Sequence, residues 1–214
     1  MEASTAIARW PDRDSEAIAR ICRDGAGLVD LWEASPRRIE DNEPHTGELI
    51  DALFPGNPLL CCGWSRHRFE TRPRCQWHKL EELQLIVPNP MTARTGVTRT
   101  GKESAHTLAN TGPRRFLVVE QDSGTIDQQA AILTHLATRA PLAMAVHSGG
   151  KSLHGWFFCA DVPETVIRPF MEYAVTLGAD PATWTRSQFV RMPDGQRDRG
   201  NCQAVFYFNP QVLR

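Results

Sequence analysis

Residues 116–159 read FLVVEQDSGTIDQQAAILTHLATRAPLAMAVHSGGKSLHGWFFC, and their hydrophobic period alternates between strand-like and helix-like. Phe116 to Glu120 is a short apolar run suited to a buried strand. Residues 126–139 bring Ile126, Ala130, Leu133 and Leu136/Ala137 to one side at helical spacing. Residues 142–146 (LAMAV) return to a buried strand, 147–153 (HSGGKSL) turn, and 154–159 (HGWFFC) run as a strand again. Downstream, 163–178 (PETVIRPFMEYAVTLG) predicts a helix with Pro163 near its first turn and Gly178 at its close, kinked or split at Pro169. Residues 188–192 (QFVRM) and 204–208 (AVFYF) are strands around the turn-rich PDGQRDRGN. The order β-α-β-β-α-β predicts an α+β core of the ferredoxin-like or RNA-recognition-like kind, a sheet with two helices on one face. Many activities share that arrangement, so function has to come from the site.

Outward from this core, the N-terminal half is made of shorter pieces. Residues 14–24 set Ala17, Ile18, Ile21 and Cys22 on one helical face with Ser15 as the expected cap. Residues 45–54 predict a short helix ended by Pro55-Gly56-Asn57-Pro58, and 59–63 (LLCCG) and 83–87 (LQLIV) predict short strands. Residues 88–113, rich in Pro, Gly and Thr, predict a long loop, which in a compact domain is usually functional or mobile. The expected division is an N-terminal α/β portion over 1–111 packed on a catalytic-type core over 112–214.

Charge and composition exclude several classes. With 24 Lys+Arg against 25 Asp+Glu the net charge is −1, so bulk charge cannot hold nucleic acid and any such contact must be local. No apolar run approaches the ~18–20 residues that cross a bilayer, and the first twenty residues lack the apolar stretch of a secretory leader. Cys22, Cys61, Cys62, Cys75, Cys159 and Cys202 are few and unevenly spaced. Free thiols in a reducing compartment are the expectation, with a soluble, cytoplasmic chain.

Three stretches carry chemistry. Glu120 and Asp122 stand two apart at a strand end, so both carboxylates face one side. They suit Mg²⁺ or Mn²⁺, and a solvated loop would carry the same acids. Ser148-Gly149-Gly150-Lys151-Ser152-Leu153-His154 offers backbone N–H groups through its glycines, with Ser148, Lys151 and His154 as further donors to an anion. It is not a P-loop: Ala145 stands where the first glycine is required, and a strand follows instead of a helix. Asp180 follows the third predicted helix, and Arg191 precedes the turn Met192-Pro193-Asp194-Gly195.

Taken together, in this order, the three stretches resemble the archaeo-eukaryotic primase superfamily, the primase–polymerases, over roughly residues 112–210. That family combines an apolar strand ending in two acids, a Ser-Gly-Gly-x-x-x-His segment opening a strand, and an acid leading to an Arg-x-Pro-Gly-like turn. The resemblance implies template-dependent nucleotidyl transfer on single-stranded DNA by a two-metal mechanism. Glu120, Asp122 and Asp180 would hold Mg²⁺ or Mn²⁺, with His154 counted among the catalytic residues. Ser148, Gly149, Gly150, Lys151, His154 and Arg191 would hold the nucleoside triphosphate. Here the first acid is Glu where the family usually has Asp, and Asp194 competes with Asp180 as the third acid. A separate helicase or replication protein is the expected partner. The alternative is a degenerate member that binds single-stranded DNA or nucleotide without catalysis, and a third possibility is a metal-dependent nuclease.

Two further features remain. Cys62, His67, Cys75 and His78 could close a structural Zn²⁺ site, though their spacing is irregular and unligated side chains are the commoner outcome. The same stretch interleaves Arg66, Arg68, Arg72 and Arg74 with Trp64, Phe69 and Trp77, a composition suited to single-stranded template. A solvated basic loop over packed tryptophans would look the same. Arg94, Arg99, Lys102, Arg114 and Arg115 could extend that track, and arginines recur over 186–199.

Overall fold

The computed structural model describes residues 9–41, 43–197 and 200–214, so Arg199 falls outside the described residues. The chain begins with helices α1 (Ser15–Asp24), α2 (Leu28–Glu33) and α3 (Thr46–Leu53). Strands β1 (Leu59–Ser65), β2 (Arg68–Pro73) and β3 (Leu85–Ile86) follow, then a hairpin of β4 (Gly96–Val97) and β5 (Glu103–Ser104). The second half runs β6 (Phe116–Gln121), α4 (Ile126–Ala137), β7 (Leu142–His147), β8 (Leu153–Phe158) and α5 (Glu164–Thr176). A 3-10 turn (Pro181–Trp184), β9 (Val190–Arg191) and β10 (Val205–Phe208) complete it.

The architecture is mixed α+β with antiparallel sheets, compatible with the expected ferredoxin-like core. One four-stranded sheet has the order β10-β7-β8-β6. The β7–β8 hairpin sits at its centre, and the last strand, β10, lies beside β7 at the edge away from β6. The second sheet has the order β2-β1-β3-β9. The strand expected over 188–192 therefore shortens to β9 and pairs with β3, Leu85 opposite Arg191 and Ile86 opposite Val190.

Alternation along β6 shows how the layers form. Leu117 and Val119 face a core shared with α4 and α5, onto which Ile18, Ile21 and Leu28 of the first two helices also pack. Phe116 and Val118 face a second core between the two sheets, with Leu60, Ile86, Trp156, Val190 and Phe208. The layers are thus helices, sheet, sheet. Each fully buried ring of Phe116, Trp156, Phe157 and Phe208 contributes about 1.5–3 kcal/mol of apolar burial.

Several local expectations are corrected. Asp14, not Ser15, caps α1, accepting from Ala17 N at 2.9 Å. Helix α5 runs through Pro169 without splitting, because proline removes one backbone donor while the following turns keep theirs. The basic stretch after Ser65 is not a loop but β2, an edge strand with Thr71 turned inward and Arg68 and Glu70 outward. The long segment after Val87 contains the β4–β5 hairpin. Among the described residues no helix is long and apolar enough to cross a membrane.

Candidate active site

The candidate site lies where β6, β8 and the 3-10 turn meet. Side chains alternate along a strand, so Glu120 continues the face of Phe116 and Val118 toward the second sheet. Opposite it in register is His154 of β8, with Val146 of β7 on the other side. His154 Nε2 lies 3.6 Å from Glu120 Oε1. Burial raises the Glu120 carboxyl above the usual range; a hydrogen bond from Ser152 opposes this, and the charges of Asp180 and Asp122 add to it. Asp180 is brought alongside by its own backbone, Asp180 N donating to Glu120 O at 3.0 Å.

His154 is 3% exposed, and neither ring nitrogen has a hydrogen-bond partner among the described residues. Burial, reinforced by Arg191, His147 and Arg197, pushes its pKa down to about 3. The imidazole is therefore neutral and lies beneath Glu120. It cannot supply the positive charge toward a triphosphate that the sequence suggested, only a neutral donor or acceptor.

The Ser148–Lys151 segment forms a tight turn. Ser148 N donates to Ser152 O at 2.9 Å and Ser152 N to Ser148 Oγ at 3.1 Å. Gln129 of α4 pins it from below, its Nε2 donating to Lys151 O at 2.9 Å and its Oε1 accepting from Leu153 N at 2.8 Å. Gly149 has φ +67°, and a Cβ there would stand 2.9 Å from Cys202 O. A Cβ at Gly150 would collide with the Arg197 guanidinium, whose Nη1 donates to Ser148 O at 3.2 Å. Lys151 Nζ is 3.3 Å from Asp122 Oδ2, and both side chains reach solvent. Acids and anion-binding cations thus face each other across the end of the sheet.

The third acid resolves in favour of Asp180, whose charge acts on Glu120. Asp194, at φ 56°, points elsewhere. Its Oδ2 accepts from His45 N at 2.6 Å and its carbonyl from Thr46 Oγ1 at 2.9 Å, so it anchors the start of α3. Among the described residues no group of three or more His, Cys, Asp or Glu side chains is gathered as a ready metal cage. Asp180 Oδ1 caps the 3-10 turn through Ala182 N at 2.9 Å, and Asp122 pairs with Lys151. The donor set nevertheless fits a hard divalent cation: three oxygen-bearing acids whose mutual repulsion falls on Glu120.

The zinc expectation is not supported. Cys62 is fully buried in the core between the sheets, whereas His67, Cys75 and His78 are exposed. Cys62 is also unsuited to ligation, because burial holds its thiol well above the ordinary range.

The candidate nucleic-acid arginines separate into groups. Register places the β1–β2 turn, with exposed Arg66 and Arg68, at the same end of the second sheet as Arg191. The charge of Arg191 acts on both Glu120 and His154. Arg72 and Arg74 lie toward the other end. Arg72 donates from Nε to Glu70 at 2.7 Å and lies over Trp77, and Arg74 donates from Nη2 to Asp51 at 3.0 Å. Trp77 is buried with its Nε1 on Leu60 O, and Arg68 covers Trp64, so those rings are committed within the fold and are not open base platforms. Arg115 donates from Nε to Leu53 O at 2.6 Å and lies over Phe116 and Phe158. Arg114 is 7% exposed and paired with Glu164, so the expectation that it contacts template is withdrawn.

Sequence reasoning missed Gln129, Ser152 and Arg197. Helical spacing put Gln129 beside Ala130 with no sign that its amide reaches the turn. Arg197 was visible only as one of several arginines in a turn-rich stretch. The unexplained Gly150 was the available signal, since a glycine without positive φ implies a close neighbour.

No protein-family model matches the sequence, and no curated protein matches it. Among solved structures, the polymerase domain of Mycobacterium tuberculosis Ligase D in complex with DNA superposes with a TM-score of 0.41 and 15% identity, covering 87% of this chain and 82% of that one. A superposition that loose does not by itself assign an activity.

Proposed function

We propose that this chain is a nucleotidyltransferase that extends a nucleic-acid strand on a single-stranded DNA template, using nucleoside triphosphates and Mg²⁺ or Mn²⁺. The observation that carries the reading is the confrontation at one end of the sheet. Glu120, Asp122 and Asp180 gather there opposite a glycine turn furnished with Lys151 and Arg197.

In the reaction the 3′-hydroxyl of the growing strand attacks the α-phosphorus, the new P–O bond forms, and pyrophosphate leaves. Glu120, Asp122 and Asp180 would hold the cations, which when bound favour the attacking alkoxide and offset charge on the leaving phosphates. Ser152 orients the Glu120 carboxylate from one side, and neutral His154 supports it from below. Lys151 now offsets Asp122, and with a triphosphate in place it turns to the phosphates beside Arg197 and the turn's backbone. Arg191, with Arg66 and Arg68 at the same end of its sheet, supplies the local positive potential for template. A separate helicase or replication protein would provide the single strand.

Asp122→Ala tests the assignment: template-dependent incorporation should vanish while circular dichroism and melting temperature stay near wild type. Full incorporation by that variant would defeat it. A second reading, a binding protein without catalysis, is favoured by one observation: two of the three acids are already engaged, Asp122 by Lys151 and Asp180 by its own turn. Wild-type protein that binds single-stranded DNA and nucleotide but incorporates nothing with Mn²⁺ would select it.

A further inference from the structure

The 3-10 turn that presents Asp180 is only four residues long, so whatever fixes its far end, Trp184, also fixes Asp180. Trp184 is gripped between two guanidinium groups. Arg114 lies 4.4 Å from the ring centroid and Arg168 5.2 Å, and Arg168 is itself 3.7 Å from the Trp10 ring. Arg114 does more than stack. Its Nη2 donates to Trp184 O at 2.8 Å, and its Nε and Nη2 meet the two carboxylate oxygens of Glu164 at 3.0 and 3.2 Å.

Arg114 stands two residues ahead of β6, which carries Glu120, and Glu164 opens α5. One buried side chain therefore joins the start of the acid-bearing strand, the start of a core helix and the end of the acid-bearing turn. At the turn's other end, Asp180 N is bonded to Glu120 O at 3.0 Å. Glu120 and Asp180 are thus clamped at both ends of a short rigid link. A lysine cannot reproduce a fork that is bidentate, carbonyl-bonded and stacked at once.

We propose that Arg114 is a positioning residue that sets Asp180 relative to Glu120 through Trp184, and so tunes the cation affinity of the acid group. The inference rests on the reading of those acids as cation ligands. Groups that orient ligands without touching the ion typically alter metal affinity by about 10–100-fold when changed.

The test is Mn²⁺ binding to the full chain, followed by electron paramagnetic resonance or calorimetry in Arg114→Lys, in the milder Glu164→Gln, and in Ile167→Val. Ile167→Val thins the core of α5 without touching the clamp, and serves as the purely structural control. Arg114→Lys is expected to weaken Mn²⁺ binding about tenfold, with single-stranded DNA affinity unchanged. Glu164→Gln should shift Mn²⁺ binding in the same direction, and Ile167→Val should leave it at the wild-type value. Should Arg114→Lys be too unstable to measure, Glu164→Gln decides alone. Wild-type Mn²⁺ affinity in the clamp variants would overturn the assignment, as would an equal loss in Ile167→Val. If the wild-type chain itself bound no Mn²⁺, the reading of the acids would fall and the positioning role with it.

Discussion

Gly150→Ala separates a glycine needed for folding from one needed for ligand binding. Its φ is not in the left-handed region, so alanine brings no backbone strain, and the added Cβ meets only the tip of Arg197. The guanidinium can swing away, losing its 3.2 Å bond to Ser148 O. One hydrogen bond is worth about 1 kcal/mol, so the melting temperature should fall by about 2–4 °C. The neighbouring Gly149→Ala is a different case. Its φ of +67° costs a side chain about 1–2 kcal/mol, and its Cβ meets Cys202 O, a backbone atom that cannot move aside cheaply. Gly149→Ala should therefore destabilise clearly more than Gly150→Ala.

The ligand side is worked from the same contact. A hydrogen bond to a charged group contributes about 1.5–3 kcal/mol, so Arg197→Gln should weaken pyrophosphate binding roughly ten- to hundredfold. Gly150→Ala, by displacing the same guanidinium, should lose a comparable factor. The double variant should lose little more than either single one, since both remove one interaction. Pyrophosphate titration by calorimetry, beside thermal melts, measures all of this. Losses that multiply in the double variant would refute the reasoning, because they would mean that Gly150 and Arg197 act on the ligand separately.

Three further outcomes are expected. Glu120→Gln should raise the melting temperature at pH 7 while abolishing incorporation. Burial raises the Glu120 pKa in the fold, so the carboxylate opposes folding above the ordinary glutamate pKa, and the variant's advantage should shrink as pH falls toward that value. Asp194→Ala should cost about 2–4 kcal/mol in a denaturant melt, from the lost bond to His45 N and the alanine in a left-handed conformation. Asp194→Gly should recover about 1 kcal/mol of that. A thiol reagent should label Cys75 and Cys202 rapidly in the native protein and leave Cys61, Cys62 and Cys159 untouched, with chelator leaving the melting temperature unchanged.

How much of this was legible in the sequence depended on whether the cause was local. Strands β6, β7 and β8 and helix α4 could be read because each buries a periodic apolar face. The two acids at the end of β6 could be read because strand geometry places them. Strand β2 was missed because its apolar signal is thin: Phe69 and Thr71 face in, while Arg68, Glu70 and Arg72 face out along an edge. The partner of β9 could not be read at all, since pairing with β3 is decided by two segments roughly a hundred residues apart. Arg114 shows the same limit for side chains. Its composition matched the other basic residues, and only Glu164 and Trp184, distant in sequence, turn it inward.

The placement of the acids follows from the layering. Each residue of β6 on the Phe116–Val118 side is covered by the second sheet, and Glu120 is the next position on that side, where the cover ends. A carboxylate there is withdrawn from water yet close to two others, which is why its charged form is disfavoured. An apolar residue would suit the fold better at that position. The same argument explains the cations. Lys151 pairs with Asp122, and Arg191 opposes the field on Glu120, so the empty group is held together by side chains that a phosphate could claim. A site built this way gives up its internal charge pairs when substrate and cation arrive together. Binding of triphosphate and of divalent cation should therefore be positively coupled, each releasing a partner that the other needs.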